Sequence, residues 1–356
     1  MKKSIISLAV LAAASNVAFA QSNVTIYGTV DAGIVNERGA AAGSVTKVTS
    51  GVSSASRLGF RGTEDLGSGL AAIFALEAGF NVDKGTSTEG GLFGRQAYVG
   101  LKSANLGTVT LGNQYTSYYK ALSEVADPFG AGYAGTATNL FPTSQRAQNS
   151  IVYVSPAVAG FTGEVNYSVG EQAGSNKSGR QVGAAVAYAN GPLNARVVYN
   201  LTNNDQTATA PRTSTTLSRN ILVAANYDFT VAKAFVAYGK DEGANSAFGG
   251  RKELVGVNNI GRASDDSQQA LVGFTVPVGP AGTVMASYIR KDDKTAVNAD
   301  ATQFALGYSY ALSKRTSAYT SIAKINNKRN AGYTVGNATE AGTGDKAFNI
   351  GMRHSF

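Results

Sequence analysis

The stretch FTGEVNYSV, Phe161 to Val169, puts Phe161, Gly163, Val165, Tyr167 and Val169 on one side of an extended chain and Thr162, Glu164, Asn166 and Ser168 on the other. Successive side chains of a strand point to opposite faces, so this period of two predicts a strand with one apolar and one polar face. The pattern recurs at Leu193, Ala195, Val197, Tyr199 and Leu201; at Ile221, Val223, Ala225, Tyr227 and Phe229; and at Ala270, Val272, Phe274, Val276 and Val278. It returns at Phe304, Leu306, Tyr308, Tyr310 and Leu312, and closes the chain at Phe348, Ile350, Met352, His354 and Phe356. One face is apolar and aromatic-ended, and the other is Gly, Ser, Asn, Gln and charge. The runs last about 10–14 residues, longer than the strands of a soluble sandwich and enough for a tilted strand to cross a bilayer.

Connections alternate in length. Short ones include Asp65-Leu66-Gly67-Ser68, Asn190-Gly191-Pro192, Gly279-Pro280-Ala281-Gly282 and Leu312-Ser313-Lys314-Arg315. Long ones lie near 37–52, 84–91, 116–146, 171–179, 204–217, 244–265, 294–299 and 328–345, rich in Gly, Ser, Thr, Asn and Ala. Short turns at one rim and long loops at the other are the signature of an outer-membrane barrel. The intervals between connections make sixteen strands, and no helical stretch approaches the apolar length of a membrane span. The expectation is an all-β fold: a 16-stranded antiparallel transmembrane β-barrel with short periplasmic turns and long extracellular loops.

Lys2 and Lys3 precede an apolar run from Ile5 to Ala14, and Ala18-Phe19-Ala20 offers small residues at both cleavage positions. Residues 1–20 therefore read as a secretory signal peptide and 21–356 as the barrel. Removing 20 of 356 residues leaves 356 − 20 = 336, or 336/16 = 21 per strand and connection, and losing two lysines lowers the formal charge from +8 to 8 − 2 = +6. The absence of Cys excludes thiolate metal sites and thiol chemistry, and one His removes most zinc sites and neutral-pH acid–base machinery. These counts predict no enzyme and no cofactor or metal. Arg251-Lys252 reads as a solvated loop pair in an exported protein, not as a nucleic-acid patch.

The stretches NVTIYGTVDAGI (Asn23–Ile34), SRLGFRGTEDLGSGLAAIFALEAGF (Ser56–Phe80), GRQAYVGL (Gly94–Leu101), NSIVYVSP (Asn149–Pro156), GYSYALSKRTSAY (Gly307–Tyr319) and GMRHSF (Gly351–Phe356) resemble the general, trimeric 16-stranded porins of Gram-negative bacteria, nearest the beta-proteobacterial type. The resemblance implies a homotrimer in the cell outer membrane, in contact with the lipid bilayer and lipopolysaccharide. It also implies a water-filled channel for ions and small hydrophilic solutes, with the third long loop, 116–146, folded inward to narrow it. The terminal Phe356 resembles the assembly signal read by the barrel-insertion machinery.

Strand parity turns Leu58 and Phe60 to lipid and Arg57 and Arg61 to the lumen; an Arg facing mid-bilayer lipid costs about 2–4 kcal/mol. In the next strand Phe74, Leu76, Ala78 and Phe80 face lipid, leaving Glu77 inside. Parity is unclear around Arg95. The resemblance carries Arg57, Arg95 and Arg146 onto a basic ladder at the pore constriction, with Glu124 and Asp127 of the inward loop facing it. Facing charges of opposite sign orient water and dipolar solutes. With Arg57, Arg61, Arg95 and Arg146 against Glu77, Glu124 and Asp127, anions should be preferred. A substrate-specific channel of the same fold is the alternative, with Tyr115, Tyr118, Tyr119 and Tyr133 as an aromatic track.

Overall fold

The computed structural model describes residues 23–142, 145–204, 216–243, 266–328, 330–335 and 340–356. The leader at 1–20, the Arg251-Lys252 pair and most of the connections at 204–217 and 244–265 lie outside the described residues. In chain order the strands are β1 (Asn23–Ala40), β2 (Gly43–Ser50), β3 (Arg57–Gly67), β4 (Leu70–Asn81), β5 (Thr86–Ser87), β6 (Gln96–Ser103), β7 (Gly107–Tyr115), β8 (Arg146–Val154) and β9 (Phe161–Ser168). They continue as β10 (Gln181–Asn190), β11 (Leu193–Asn204), β12 (Thr216–Asp228), β13 (Lys233–Glu242), β14 (Asp266–Val278), β15 (Gly282–Asp293), β16 (Ala301–Ala311), β17 (Thr316–Asn327) and β18 (Lys346–Ser355).

Neighbours pair antiparallel, and β18 pairs back onto β1 from Thr29↔Ser355 to Arg38↔Lys346, closing the sheet. β2 pairs with the far half of β1 and β3 with its near half, so they are one strand interrupted at residues 51–56. β5 is a two-residue stub on the end of β4. The 18 segments thus make 18 − 2 = 16 barrel strands. Closure leaves no unpaired edge, which is what allows a sheet to stand in lipid. The connection expected over 37–52 is instead a long hairpin turning at Ala41-Ala42, with Ala40 paired to Gly43. Its Ser, Thr and Lys residues suit a ladder that stands in water and needs no apolar face.

Register carries the outward apolar residues around the wall: Val186 faces Val197, Val197 faces Val223, and Val223 faces Tyr238. Val186, Val197 and Val223 are 55%, 51% and 45% exposed, far more contiguous apolar surface than a water-soluble protein presents. Aromatic side chains border this belt at both rims. Phe161, Tyr227, Phe229, Tyr310 and Phe356 stand near the short turns, and Tyr199, Tyr238, Tyr288, Phe304 and Phe348 towards the long loops. Such girdles sit at the two membrane–water interfaces. They thin along one arc: Phe60 and Phe74 point outward there but are half-buried, and the exposed large apolar side chains of β1–β7 among the described residues, Val24, Ile26, Ile34, Val48, Val99, Leu101, Val109 and Leu111 with Leu66 and Leu70, are all aliphatic.

Candidate functional site: a charged cavity inside the barrel

Between β7 and β8 the chain turns into the barrel. Thr116 caps a short helix, α1 (Ser117–Ala121), by accepting from the Tyr119 amide, and a π-helical turn follows over Leu122–Ala126. Tyr118, Ala121, Leu122, Val125, Ala126 and Phe129 are all buried, at the three- and four-residue spacing of a helical stripe. They pack on inward-facing Val198, Leu222, Ala224, Leu271, Met285, Ile289, Ala305 and Ile325 of β11–β17. Each large side chain so buried contributes about 1.5–3 kcal/mol. The inner face of these strands is therefore apolar where the loop docks, and not uniformly polar as the alternation suggested.

Polar bonds fix the loop at intervals. Asn226 Nδ2 donates to the Val125 carbonyl at 2.9 Å, Gln303 Nε2 to the Gly135 carbonyl at 2.9 Å, and Lys291 Nζ to the Leu140 carbonyl at 3.2 Å. On the other side, the Tyr133 amide donates to the Val52 carbonyl at 2.6 Å. The loop spans the lumen between these anchors.

What remains open is a cavity of about 1420 Å³ bordered by Arg57, Arg61, Glu77, Glu89, Arg95, Lys120, Glu124 and Lys291, with Tyr27, Tyr98, Tyr115, Tyr119 and Tyr133 among its aromatic lining. Glu77, 3% exposed, is the hub. It accepts from Arg95 Nε at 2.7 Å and from the Tyr27 hydroxyl at 3.1 Å, and Arg57 Nε stands 3.6 Å away. Arg95 Nη2 also donates to the Tyr115 hydroxyl at 2.6 Å. Arg146 pairs with Glu89 at 2.8 Å beneath the same Tyr115 ring and lines an adjoining polar cavity. Arg61 stacks over Tyr27 with 5.2 Å to the ring centre, and among the described residues it has no carboxylate within ion-pair distance.

Parity resolves around Arg95. Gln96 and Tyr98 line the cavity while Val99 is 59% exposed outside, and Arg95, one residue before β6 begins, has left the ladder and turns in towards Glu77. The end of β7 is re-aimed by a bulge between Gly112 and Gln114. Gly112 has φ +140° there, and a Cβ would stand 2.1 Å from the Ala97 carbonyl oxygen, so only glycine fits.

The two loop acids part company. Glu124 borders the cavity, with Arg196 Nη1 3.4 Å from its carboxylate. Asp127, expected to face the arginines, does not. It is 3% exposed and accepts from the backbone amides of Phe129, Ala131 and Ala137 at 2.9, 3.0 and 2.8 Å. An aspartate closes its own turn by accepting from the amide two residues on, here Phe129, and that preference wins. Burial pushes its carboxyl up to about 6, although the three amides pull the other way. Of the four loop tyrosines, Tyr118 is fully buried against the wall and offers nothing to a solute; Tyr115, Tyr119 and Tyr133 border the cavity.

The sequence reading missed Tyr27, Glu89, Lys120, Glu164, Arg196 and Lys291. Lys120 lies one side of α1 from the buried stripe and bonds Glu164 at 2.9 Å. Lys291 is 2% exposed and shares Ser267 with Asp241. The available signal was the loop's own helical stripe, which would have turned Lys120 and Glu124 away from the wall.

A closed barrel, apolar outside and holding a charged aqueous space, is a membrane channel. The chain belongs to the Gram-negative porin family, whose model matches residues 7–330, and it is an outer-membrane diffusion porin. It is 35% identical over 376 residues to outer membrane porin protein 32 of Delftia acidovorans, covering 100% of both chains. An outer membrane porin protein of Bordetella pertussis is 33% identical over 371 residues, covering 91% of this chain and 94% of that one. Among solved structures, the anion-selective porin from Comamonas acidovorans superposes with a TM-score of 0.78 at 30% identity, over 94% of this chain and 100% of that one.

Proposed function

We propose that this porin passes small hydrophilic solutes passively and prefers anions, with Arg57, Arg61, Arg95 and Arg146 as the basic side of its constriction and Glu77 and Glu124 as its acids. The carrying observation is the charge on the cavity lining. Five cations (Arg57, Arg61, Arg95, Lys120 and Lys291) border it against three carboxylates (Glu77, Glu89 and Glu124), and each of those carboxylates is engaged by an arginine. Arg61, lacking such a partner, presents a full charge to a passing ion. The anion-selective Comamonas relative supports the same sign. The test is Arg61→Gln in planar bilayers under a salt gradient: anion preference should fall by several-fold, the effect of about 1 kcal/mol. An unchanged reversal potential would remove Arg61 from the field.

The loop over 116–146 acts as the constricting element, and permeation needs no catalysis, cofactor or metal. The only imidazole, His354, lies on the outer wall bonded to Thr316. The assembly is read as a homotrimer. A wall whose exposed large apolar side chains over β1–β7 are all aliphatic among the described residues fits contact with protein better than contact with a membrane interface. Residues 1–20 act as the export signal. Phe356 acts as the terminal signal for the insertion machinery; its backbone exchanges two 3.1 Å bonds with Gly28.

A further inference from the structure

A second cavity, of about 540 Å³, adjoins the first, and Glu89 and Gln145 border both. Its volume is that of a small-molecule site. It sits where β8 and β9 part. Their ladder runs from Val154↔Glu164 only as far as Ser150↔Ser168, with one further 3.1 Å bond from the Val169 amide to the Asn149 carbonyl. Asn149 has φ +53°, a left-handed conformation that asparagine tolerates. Beyond it Ala147 and Arg146 pair with β7, while Gln181 of β10 pairs with Ser168 and with Thr202 of β11. The cavity lies between these two groups of strands.

Its fixed charges are one cation and one anion, Arg146 and Glu89, paired at 2.8 Å, so it has no net sign, unlike the channel cavity. Three lining side chains carry a buried polar atom with no hydrogen-bond partner among the described residues: Arg146 Nε, Ser168 Oγ and Asn113 Oδ1. Ser168 is 4% exposed. Asn113 Nδ2 donates to the Gly94 carbonyl at 2.9 Å, which fixes its oxygen as the open acceptor. Buried polar groups are nearly always paired, so three left unpaired around one cavity call for a ligand.

We propose that this side chamber binds a zwitterionic α-amino acid with a small polar side chain. The ligand's carboxylate takes the Arg146 Nε–H and the Ser168 hydroxyl as donors, and its ammonium donates to Asn113 Oδ1 and the Glu89 carboxylate. Each unpaired atom then has a partner of the right sign. A simple anion meets the Glu89 carboxylate, and a simple cation meets Arg146, so each is repelled by one end of the site. A polyol satisfies the hydroxyl and the amide but gives the guanidinium N–H no charged acceptor, the stronger kind of bond. Gln148 and Asn149 offer amides to a polar side chain, and no aromatic ring lines the chamber among the described residues. The inference rests on the water-filled channel from which the chamber opens, not on its ion preference.

The test uses the purified full barrel in uncharged detergent, titrated with L-glutamine and followed by saturation-transfer NMR of the ligand. Binding should saturate. On the wild type, N-acetyl-L-glutamine, which lacks the ammonium, and L-glutaminamide, which lacks the carboxylate, should each bind about tenfold more weakly. Ser168→Ala should weaken L-glutamine binding about fivefold. Glu89→Gln should weaken L-glutamine but strengthen N-acetyl-L-glutamine, opposite shifts that a general loosening of the loop does not produce. Asp292→Asn, on the outer wall, should change neither. Equal binding of the acetylated or amidated compound, or of D-glucose, overturns the site, as does wild-type affinity in Ser168→Ala or parallel weakening of both ligands in Glu89→Gln. The comparison among ligands needs only the wild-type protein, so it stands if a variant fails to fold. Single-channel conductance without ligand reads the channel separately: normal conductance with no saturable L-glutamine binding overturns this site and leaves the porin reading in place.

Discussion

Replacing the hub carboxylate, Glu77→Gln, should make the channel more anion-preferring. The amide keeps the shape of the side chain: its oxygen can still accept from Arg95 Nε, at 2.7 Å in the carboxylate, while its NH2 stands where the other oxygen accepts from Tyr27 at 3.1 Å and donates to that hydroxyl instead. What disappears is one negative charge beside Arg57 and Arg95, changing the cavity lining from five cations against three acids to five against two. An ion passing about 5 Å away in a water-like dielectric feels 332/(80 × 5), about 0.8 kcal/mol. That is about a fourfold change in local concentration, up for anions and down for cations. Screening at 0.1 M, where the Debye length is about 10 Å, leaves about 60% of this, or about 2.3-fold for each ion. The assay is the reversal potential in planar bilayers under a tenfold gradient of a simple salt, expected to move further to the anion side by a factor of about five in permeability ratio. Asp292→Asn, a charge change on the outer wall with its partner Lys294, serves as control and should leave it unmoved. A shift towards cations, or a shift as large in the control, would refute the reasoning.

Other consequences are equally direct. Asp127→Ala leaves three buried backbone amides without their acceptor, at about 1–3 kcal/mol each, and should raise current noise and protease cleavage within 116–146 while the barrel stays folded. In the wild type the Asp127 carboxyl, raised from 3.8 to about 6, binds a proton more readily in the packed loop than in a loose one. Its contribution to packing is therefore full below the unfolded value and is lost as pH rises through the folded one. Current noise should accordingly grow between about pH 5 and pH 7, and Asp127→Asn should flatten that dependence. Lys291→Met removes the buried cation that shares Ser267 with Asp241 and cuts its bonds to Leu140 and Ser267, at about 1–3 kcal/mol for each buried acceptor left unpaired, read as a lower Tm for loss of sheet signal in detergent. Deleting Phe356 removes both bonds to Gly28 and should lower outer-membrane yield; wild-type yield would make the terminal aromatic incidental.

Strand alternation reveals the barrel because lipid and lumen impose opposite demands on successive residues, and that demand is strongest where the inner face is polar. It failed to reveal where the loop docks. In NILVAANY, Asn220 to Tyr227, Leu222 and Ala224 are apolar although they face inward, since they are covered by Leu122 and Val125 of the loop. The break in alternation was itself the footprint of a second layer. Arg57, Arg61 and Glu77 were legible from parity because each sits within a regular strand. Arg95 was not, because it lies just outside the ladder, where period two no longer governs direction. Asp127 misled for a related reason. A carboxylate in an Asp-Pro-Phe-Gly turn can face solvent or its own backbone, and only the three inward-pointing amides decide which. Pairings such as Arg146 with Glu89 join residues remote in sequence through loop geometry that no local pattern encodes.

The most direct test of the central claim is the zero-current potential of the wild-type channel under a salt gradient at low ionic strength, where charges on the cavity lining are least screened. The excess of cations over carboxylates around the cavity predicts a potential of the anion-selective sign that shrinks as salt is raised. A cation-selective potential at low salt would contradict the assignment of Arg57, Arg61 and Arg95 as the dominant field.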